Sequence, residues 1–235
     1  MKKIFIAMTF IVMLIQGCAI GPQFHVNVDS ISAPEAISKT KYILLPGVKN
    51  VEGSDLQYRE YATYVERALA FQGYSQALSF EEADIAIFLG YGIGKPEAQQ
   101  FTYSLPTYGK TGISSSSTSG TLSTYGNTST YSGTTTYKPT YGITGSTTHT
   151  GTRTTYLRYM WLDAVDLNEY RSSEKEVRLW KTTVTSTGSS GDLRQVFPIL
   201  VAASKPHIGS NTGKQIRVIL SETDKRVIEI KGESK

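Results

Sequence analysis

The sequence predicts an α+β domain: a mainly antiparallel sheet with two helices packed on one face, plus a long Ser/Thr/Tyr/Gly-rich insert. Three observations carry that expectation. Several short runs alternate apolar and polar residues with the period of two that marks a half-buried strand. Two segments repeat apolar residues at helical spacing. Residues 101–156 lose both patterns, and 44 of those 56 residues are Ser, Thr, Gly or Tyr.

The elements follow in order. Phe24, Val26 and Val28 alternate with His25, Asn27 and Asp29, which predicts a first strand after a short tether. Lys41 to Gly47 is a short apolar run closed by Pro46-Gly47, a buried strand ending in a turn. Tyr58, Ala62, Val65 and Leu69 then predict an amphipathic helix over 55–72. Ser54 and Gln57 have the spacing of a capping box, and Gly73 stands where a left-handed residue closes the helix. Ala83 to Gly90 reads as a buried strand, so strand, helix and strand form a candidate βαβ unit.

Past the insert, Tyr156 to Leu167 reads as a strand with Leu157, Tyr159, Trp161 and Val165 on its apolar face, where Asp163 is out of place. Glu176 to Thr187 reads as the next strand, joined through the polar residues 168–175 as in a hairpin. Ser190-Gly-Asp192 opens a second helix with Leu193, Val196, Phe197, Leu200 and Val201 on its apolar face. Pro198 inside it predicts a kink or a late start, and Pro206 ends it. Gln215–Leu220 and Arg226–Ile230, separated by a polar turn, read as a closing hairpin.

The insert repeats short units such as Thr107-Tyr-Gly, Thr124-Tyr-Gly and Thr140-Tyr-Gly, and no acidic residue occurs between Glu97 and Asp163. Its aliphatic surface is too small to offset the entropy of ordering. Thr and Tyr nonetheless suit strands. The expectation is a flexible loop or a long, weakly paired hairpin. Tyrosine supplies amphipathic contact area at low entropic cost, which makes Tyr125, Tyr131, Tyr137 and Tyr141 the candidate binding residues for an envelope protein or a glycan. A membrane-entering hairpin lacks support, because Thr and Ser stand where a lipid-facing strand needs an apolar band.

The amino terminus carries the most specific signal. Lys2 and Lys3 precede the apolar run Ile4–Ile15. A helix of that length spans about 18 Å, too short for a bilayer core and suited to a signal-peptide apolar region. The run ends Leu14-Ile15-Gln16-Gly17-Cys18, which resembles a bacterial lipobox; Ile15, Gly17 and Cys18 match its pattern, and Gln16 departs from it. The resemblance implies diacylglycerol on the Cys18 thiol, cleavage between Gly17 and Cys18, and acylation of the new amino group. Cys18 is the only cysteine of the chain, so it has no intramolecular disulfide partner. Two or more acyl chains give stable anchoring. Ala19 stands where an Asp would mark inner-membrane retention in such lipoproteins, which points to the outer membrane, on its periplasmic face.

These readings set the expected organisation: residues 1–17 as signal peptide, 18–23 as lipidated tether, and 24–235 as one domain interrupted by the insert. The formal charge of +4 includes Lys2 and Lys3, so the remainder lies near balance and offers no basic patch for nucleic acid. His25, His149 and His207 are far apart, and no pair of His, Asp or Glu has zinc-ligand spacing. Gly90-Tyr-Gly-Ile-Gly94 lacks both the Gly-Lys-Ser/Thr ending and the helix of a phosphate loop, and reads as a bending strand end. Glu81, Glu82 and Asp84 read as a solvated turn before a strand. No catalytic residue, metal or cofactor is therefore assigned. The expected role is structural or binding; an adhesive or assembly-associated role for the Tyr-rich insert is the first alternative and an envelope hydrolase the second.

Several short motifs also resemble a family of small bacterial lipoproteins known only as a domain of unknown function. They are Tyr42-Ile-Leu-Leu-Pro46, Arg67-Ala-Leu-Ala-Phe-Gln-Gly-Tyr74, Ala83-Asp-Ile-Ala-Ile-Phe88, Arg178-Leu-Trp180 and Phe197-Pro198. The resemblance covers most of residues 24–205 apart from the insert. It implies lipid anchoring and an α+β domain with a mostly antiparallel sheet, and it brings no catalytic residues.

Overall fold

The computed structural model describes residues 21–233. Cys18, Gly17 and the predicted signal peptide lie outside them. The chain divides into two compact units, one comprising the residues up to Glu97 together with Thr155–Lys235, the other Ala98–Thr154.

In the first unit the chain runs through β1 (Gln23–Ser32), a 3-10 turn (Pro34–Ser38), β2 (Lys41–Pro46), α1 (Leu56–Phe71), β3 (Ser75–Gln76) and β4 (Ile85–Ile93). Strands β5 (Glu97–Tyr125) and β6 (Thr128–Asp166) follow, and the last residues of β6 return to the first unit. Then come α2 (Leu167–Ser173), β7 (Arg178–Gly188), α3 (Leu193–Ser204), β8 (Ile216–Ser221) and α4 (Lys225–Lys231). The sheet order is β3-β2-β4-β6-β7-β1-β8.

The expected fold class needs correcting. The sheet is mixed: β2 is parallel to both β3 and β4, whereas β4–β6, β6–β7, β7–β1 and β1–β8 are antiparallel. The parallel half follows from α1, because a helical crossover returns the chain to the end of the sheet where it began. Four α-helices, not two, are present among the described residues. The main core joins buried residues of α1, α3 and α4 to one sheet face, whereas α2 contributes Leu167 to a smaller cluster with Ala86 and the partly buried Ile43, Leu45 and Phe88.

Both unexpected helices are set by an aspartate. Asp166 accepts hydrogen bonds from the backbone N–H groups of Asn168 and Glu169 at 3.0 and 3.1 Å and starts α2 where a polar hairpin connection was expected. Asp224 accepts from Arg226 N–H at 3.0 Å and starts α4, so the expected closing hairpin is absent. Val227 and Ile230, three apart, are the buried residues of α4, and β8 pairs instead with β1. A side-chain oxygen that satisfies free N–H groups at a helix start contributes about 1 kcal/mol. Asp55 does the same for α1, accepting from Tyr58 N–H at 2.9 Å. Ser54 is not the cap, and Gln57 donates from its side chain to Tyr61 Oη. Asp192 caps α3 from Leu193, and the helix continues through Pro198.

Aromatic packing ties the helices to the sheet. The rings of Tyr61 (α1) and Phe197 (α3) stack with centroids 3.9 Å apart, and Tyr91 of β4 meets Tyr61 edge-on at 4.8 Å. On β6 the core residues are Met160, Leu162 and Ala164, opposite the face predicted from Leu157, Tyr159, Trp161 and Val165. That predicted face is the one bearing the smaller cluster, and its aromatic rings are accommodated by bare backbone. Trp161 lies over Gly90 and Gly47, and Tyr159 lies over Gly92; a Cβ at any of the three glycines would overlap a ring.

Gly90→Ala is expected to lower stability by about 1–3 kcal/mol, the usual cost of overfilling a packed site. Gly94→Ala meets only ordinary van der Waals contacts and is expected to stay within about 0.5 kcal/mol of wild type. Urea unfolding of the two variants checks the difference.

Candidate functional site

The second unit is a two-stranded hairpin formed by β5 and the first part of β6, closed by a turn at Gly126-Asn127, with Gly126 at φ +60°. No residue from Ala98 to Thr154 is buried. The insert is therefore a long hairpin, one of the two forms its composition allowed, and it is built without a core of its own.

Its two faces differ. Of the 14 even-numbered positions from Thr128 to Thr154, 12 are Ser or Thr; of the 13 odd-numbered positions between them, three are. Successive strand residues point to opposite faces, so β6 carries a hydroxyl face and a second face bearing Tyr131, Tyr137, Pro139, Tyr141 and Ile143. Side-chain contacts extend the division to β5. Ser104 meets Thr148 at 3.4 Å and Thr111 donates to Thr140 at 3.1 Å on the hydroxyl face. Thr118 meets Thr135 at 2.8 Å and Thr124 meets Ser129 at 2.9 Å on the tyrosine face. Ser104 and Thr111 differ in parity yet share a face, so β5 carries one extra residue between them. Gly109 faces Thr144, and Gly145 faces Thr107, which puts the shift between Thr107 and Gly109. A bulge of this kind re-aims the side chains beyond it, and here it keeps hydroxyls with hydroxyls.

Tyr131, Tyr137 and Tyr141 thus share one face, 57–69% exposed, whereas Tyr125 stands on the opposite face at the turn. At the base, Tyr103 stacks on His149 with ring centroids 5.6 Å apart, and Phe101 lies 6.0 Å from Tyr103. This aromatic group was not foreseen; the spacing of Phe101, Tyr103 and Leu105 two residues apart was the available signal.

The first unit has its own concave region, on the sheet face that bears Trp161. A cavity of about 390 Å³ is lined by Leu45, Phe80, Ala86, Phe88, Leu167 and Tyr170 among others. A smaller one of about 210 Å³ adds Trp161, Asp163 and Arg178. Asp163 is buried at 8% exposure and its Oδ1 has no hydrogen-bond partner. Arg178 Nε lies 3.5 Å from the other carboxylate oxygen. Burial pushes the Asp163 carboxyl above its ordinary range, while Arg178 and Lys181 draw it down. Burial prevails because the Arg178 side chain is 63% exposed and its attraction is screened by water. Lys181 Nζ sits 6.0 Å from the Trp161 ring centroid. An apolar cavity edged by an incompletely paired carboxylate can hold a small amphipathic group; the geometry assigns no nucleophile.

The remaining sequence candidates are dispersed. His25 is on β1, His149 in the hairpin and His207 beyond α3. Glu82 and Asp84 meet the exposed Lys41, at its side chain and backbone N–H respectively. Among the described residues no group of three or more His, Cys, Asp or Glu could hold a metal ion, and no helix is long and apolar enough to cross a membrane.

No family model matches the chain, and no curated protein matches it. It is similar to one solved structure, the crystal structure of a PDZ domain protein from Parabacteroides distasonis ATCC 8503, at 9% identity and a TM-score of 0.36. The match covers 85% of this chain and 39% of that one, so the chain spans well under half of that protein's length. A likeness of that degree carries no argument here.

A carboxyl whose pKa is raised by folding contributes stability while protonated and loses it as pH rises through the folded value. The contribution of Asp163 to stability is thus expected to fall as pH climbs from the ordinary Asp range through the raised one. Asp163→Asn is expected to flatten that fall, as read by urea titrations between pH 3 and 7.

Proposed function

We propose that this chain is a lipid-anchored protein of the cell envelope with a structural or binding role and no catalytic one, and that its hairpin is the binding element. The hairpin carries the reading: 57 consecutive residues form an ordered extended surface with no buried side chain, and one face displays Tyr131, Tyr137 and Tyr141. Exposed aromatic rows on a strand serve contact with another molecule better than they serve stability in water. Anchoring rests on Leu14-Ile15-Gln16-Gly17-Cys18 following a short apolar run, with Cys18 the only thiol. Lipid on Cys18 holds the domain at the periplasmic face of the outer membrane, and an assembly-associated role follows from the tyrosine face. The same reading puts the chain beside the uncharacterised lipoproteins that it resembles at Tyr42–Pro46 and Arg67–Tyr74.

The test is metabolic labelling with palmitate, fractionation and mass spectrometry of the mature amino terminus. Wild type is expected to carry label, begin at acylated Cys18 and sediment with membranes. Cys18→Ser is expected to lose the label and move to the soluble fraction. An unlabelled wild-type chain, or one that begins elsewhere, ends the reading.

A further inference from the structure

The hairpin has two unpaired edges. β5 pairs only with β6, and across Thr128–Thr154 β6 pairs only with β5, among the described residues. About half of the backbone N–H and C=O groups of each strand therefore point outward with no strand to meet them. An isolated two-stranded hairpin is marginal in water even when short, and a long open edge invites another strand. Proteins that keep such edges single place charges and prolines along them. Past Glu97 at its base, this hairpin has Lys110, Lys138, Arg153, Pro106 and Pro139, and no acidic residue.

We propose that the occupant of these edges is further copies of this chain: β5 of one copy pairs with β6 of the next, and the hairpins close into an antiparallel cylinder with two strands from each copy. Three observations select this partner. The edges are matched in length, 29 residues in β5 against the stretch Thr128–Thr154 in β6, and a different partner would have to supply a strand of that rare extent. Head-to-tail pairing of a hairpin with itself is antiparallel at every join and leaves no edge once the ring closes. The faces are the third. Both sides of a free ribbon meet the same water, which gives no reason for β6 to carry 12 of its 14 even-numbered positions as Ser or Thr and its three tyrosines on the other face, nor for a bulge that keeps Phe101 and Tyr103 on the face of His149. A cylinder has two environments, a crowded concave one and an open convex one. The even-numbered residues of β6, twelve Ser or Thr with Lys138 and Gly142, fit inside, where side chains converge, and Tyr131, Tyr137 and Tyr141 fit outside, with Tyr125 at the rim beside the turn. At about 3.3 Å per residue and the usual tilt of 35–45°, such a cylinder stands roughly 65–75 Å tall around a hydroxyl-lined lumen.

The inference deepens the binding reading by naming the partner. A common lipid anchor would concentrate and orient the copies, though the edge chemistry does not require it. The experiment uses full-length protein purified from membranes in mild detergent. Single-cysteine variants Ser117→Cys and Thr136→Cys, with different tags, are co-expressed and oxidised, and the pairing is repeated with Ser132→Cys, Thr134→Cys and Thr140→Cys to scan register. A disulfide between differently tagged chains is necessarily intermolecular. The expected result is a β5-to-β6 crosslink at one or two neighbouring positions and a particle mass of several chains. Ser116→Pro combined with Thr135→Pro, both at positions whose N–H groups point away from the partner strand of the hairpin, is expected to reduce the mass to that of one chain while the urea midpoint of the sheet unit stays unchanged. A monomeric wild-type mass overturns the inference, and so does crosslinking confined to β5 with β5, which marks a twofold dimer. Mass spectrometry of Cys18 on the same samples separates the two readings: an acylated monomer ends this inference alone, whereas an oligomer with a free Cys18 thiol upholds it and ends the anchoring.

Discussion

The pairing of Ile85–Ile93 with Arg158–Asp166 joins the two halves of the sheet. On one side of it lie the parallel strands delivered by the α1 crossover, and on the other the antiparallel strands up to β8. Ile85, Ile87, Leu89 and Tyr91 alternate with Ala86, Phe88, Gly90 and Gly92, so the same eight residues serve the helix-covered core and the Trp161-bearing face. A slip of one residue would exchange those sets and drive Gly90 into the core while pushing Leu89 under Trp161. The rings over glycine hold the register on one face as the apolar row holds it on the other.

That same pairing explains why so long an insert is tolerated. β4 and β6 are antiparallel neighbours, so the segment between them begins and ends at one end of the sheet. Loop closure costs grow only logarithmically with length, and the sheet pairing on either side is complete without the insert. The first unit also keeps polar groups in its core. Arg158 is 1% exposed, donates to Ser186 Oγ and to the Ser190 carbonyl, and is drawn below its ordinary pKa by burial. Ser30 and Thr182 meet across β1 and β7 at 2.7 Å. These bonds lie at the antiparallel end of the sheet, where they satisfy groups that would otherwise be costly to bury, although the Arg158 Nε is left without a partner.

The hairpin follows the opposite economy. It has no apolar interior, and its order is held by cross-strand backbone bonds, hydroxyl pairs and a few aromatic contacts. A surface of this kind is suited to pairing and poorly suited to a catalytic pocket, which needs groups converging from several directions. The sheet unit does contain a concave apolar region, and Asp163 at its edge is the one carboxylate that the sequence pattern marks as misplaced and the structure leaves incompletely paired.

Local rules sufficed to place α1, α3 and the strands β1, β2, β4 and β7, because their apolar period is written in neighbouring residues, although the cap of α1 proved to be Asp55 in place of Ser54. The lipobox-like motif is of the same kind, a linear signal. The hydroxyl row of β6 was legible too, once even and odd positions are separated. What only the tertiary structure decided was where pattern underdetermines placement. β8 pairs with β1 and not with the segment after it, because Asp224 caps a helix there. Trp161 faces away from α1, α3 and α4, because on the other face Gly90 and Gly47 leave room for its ring. β5 shifts by one residue past Thr107, and no local preference announces that shift. Sequence period names the faces of an element, and only packing against the rest of the chain decides which face turns inward.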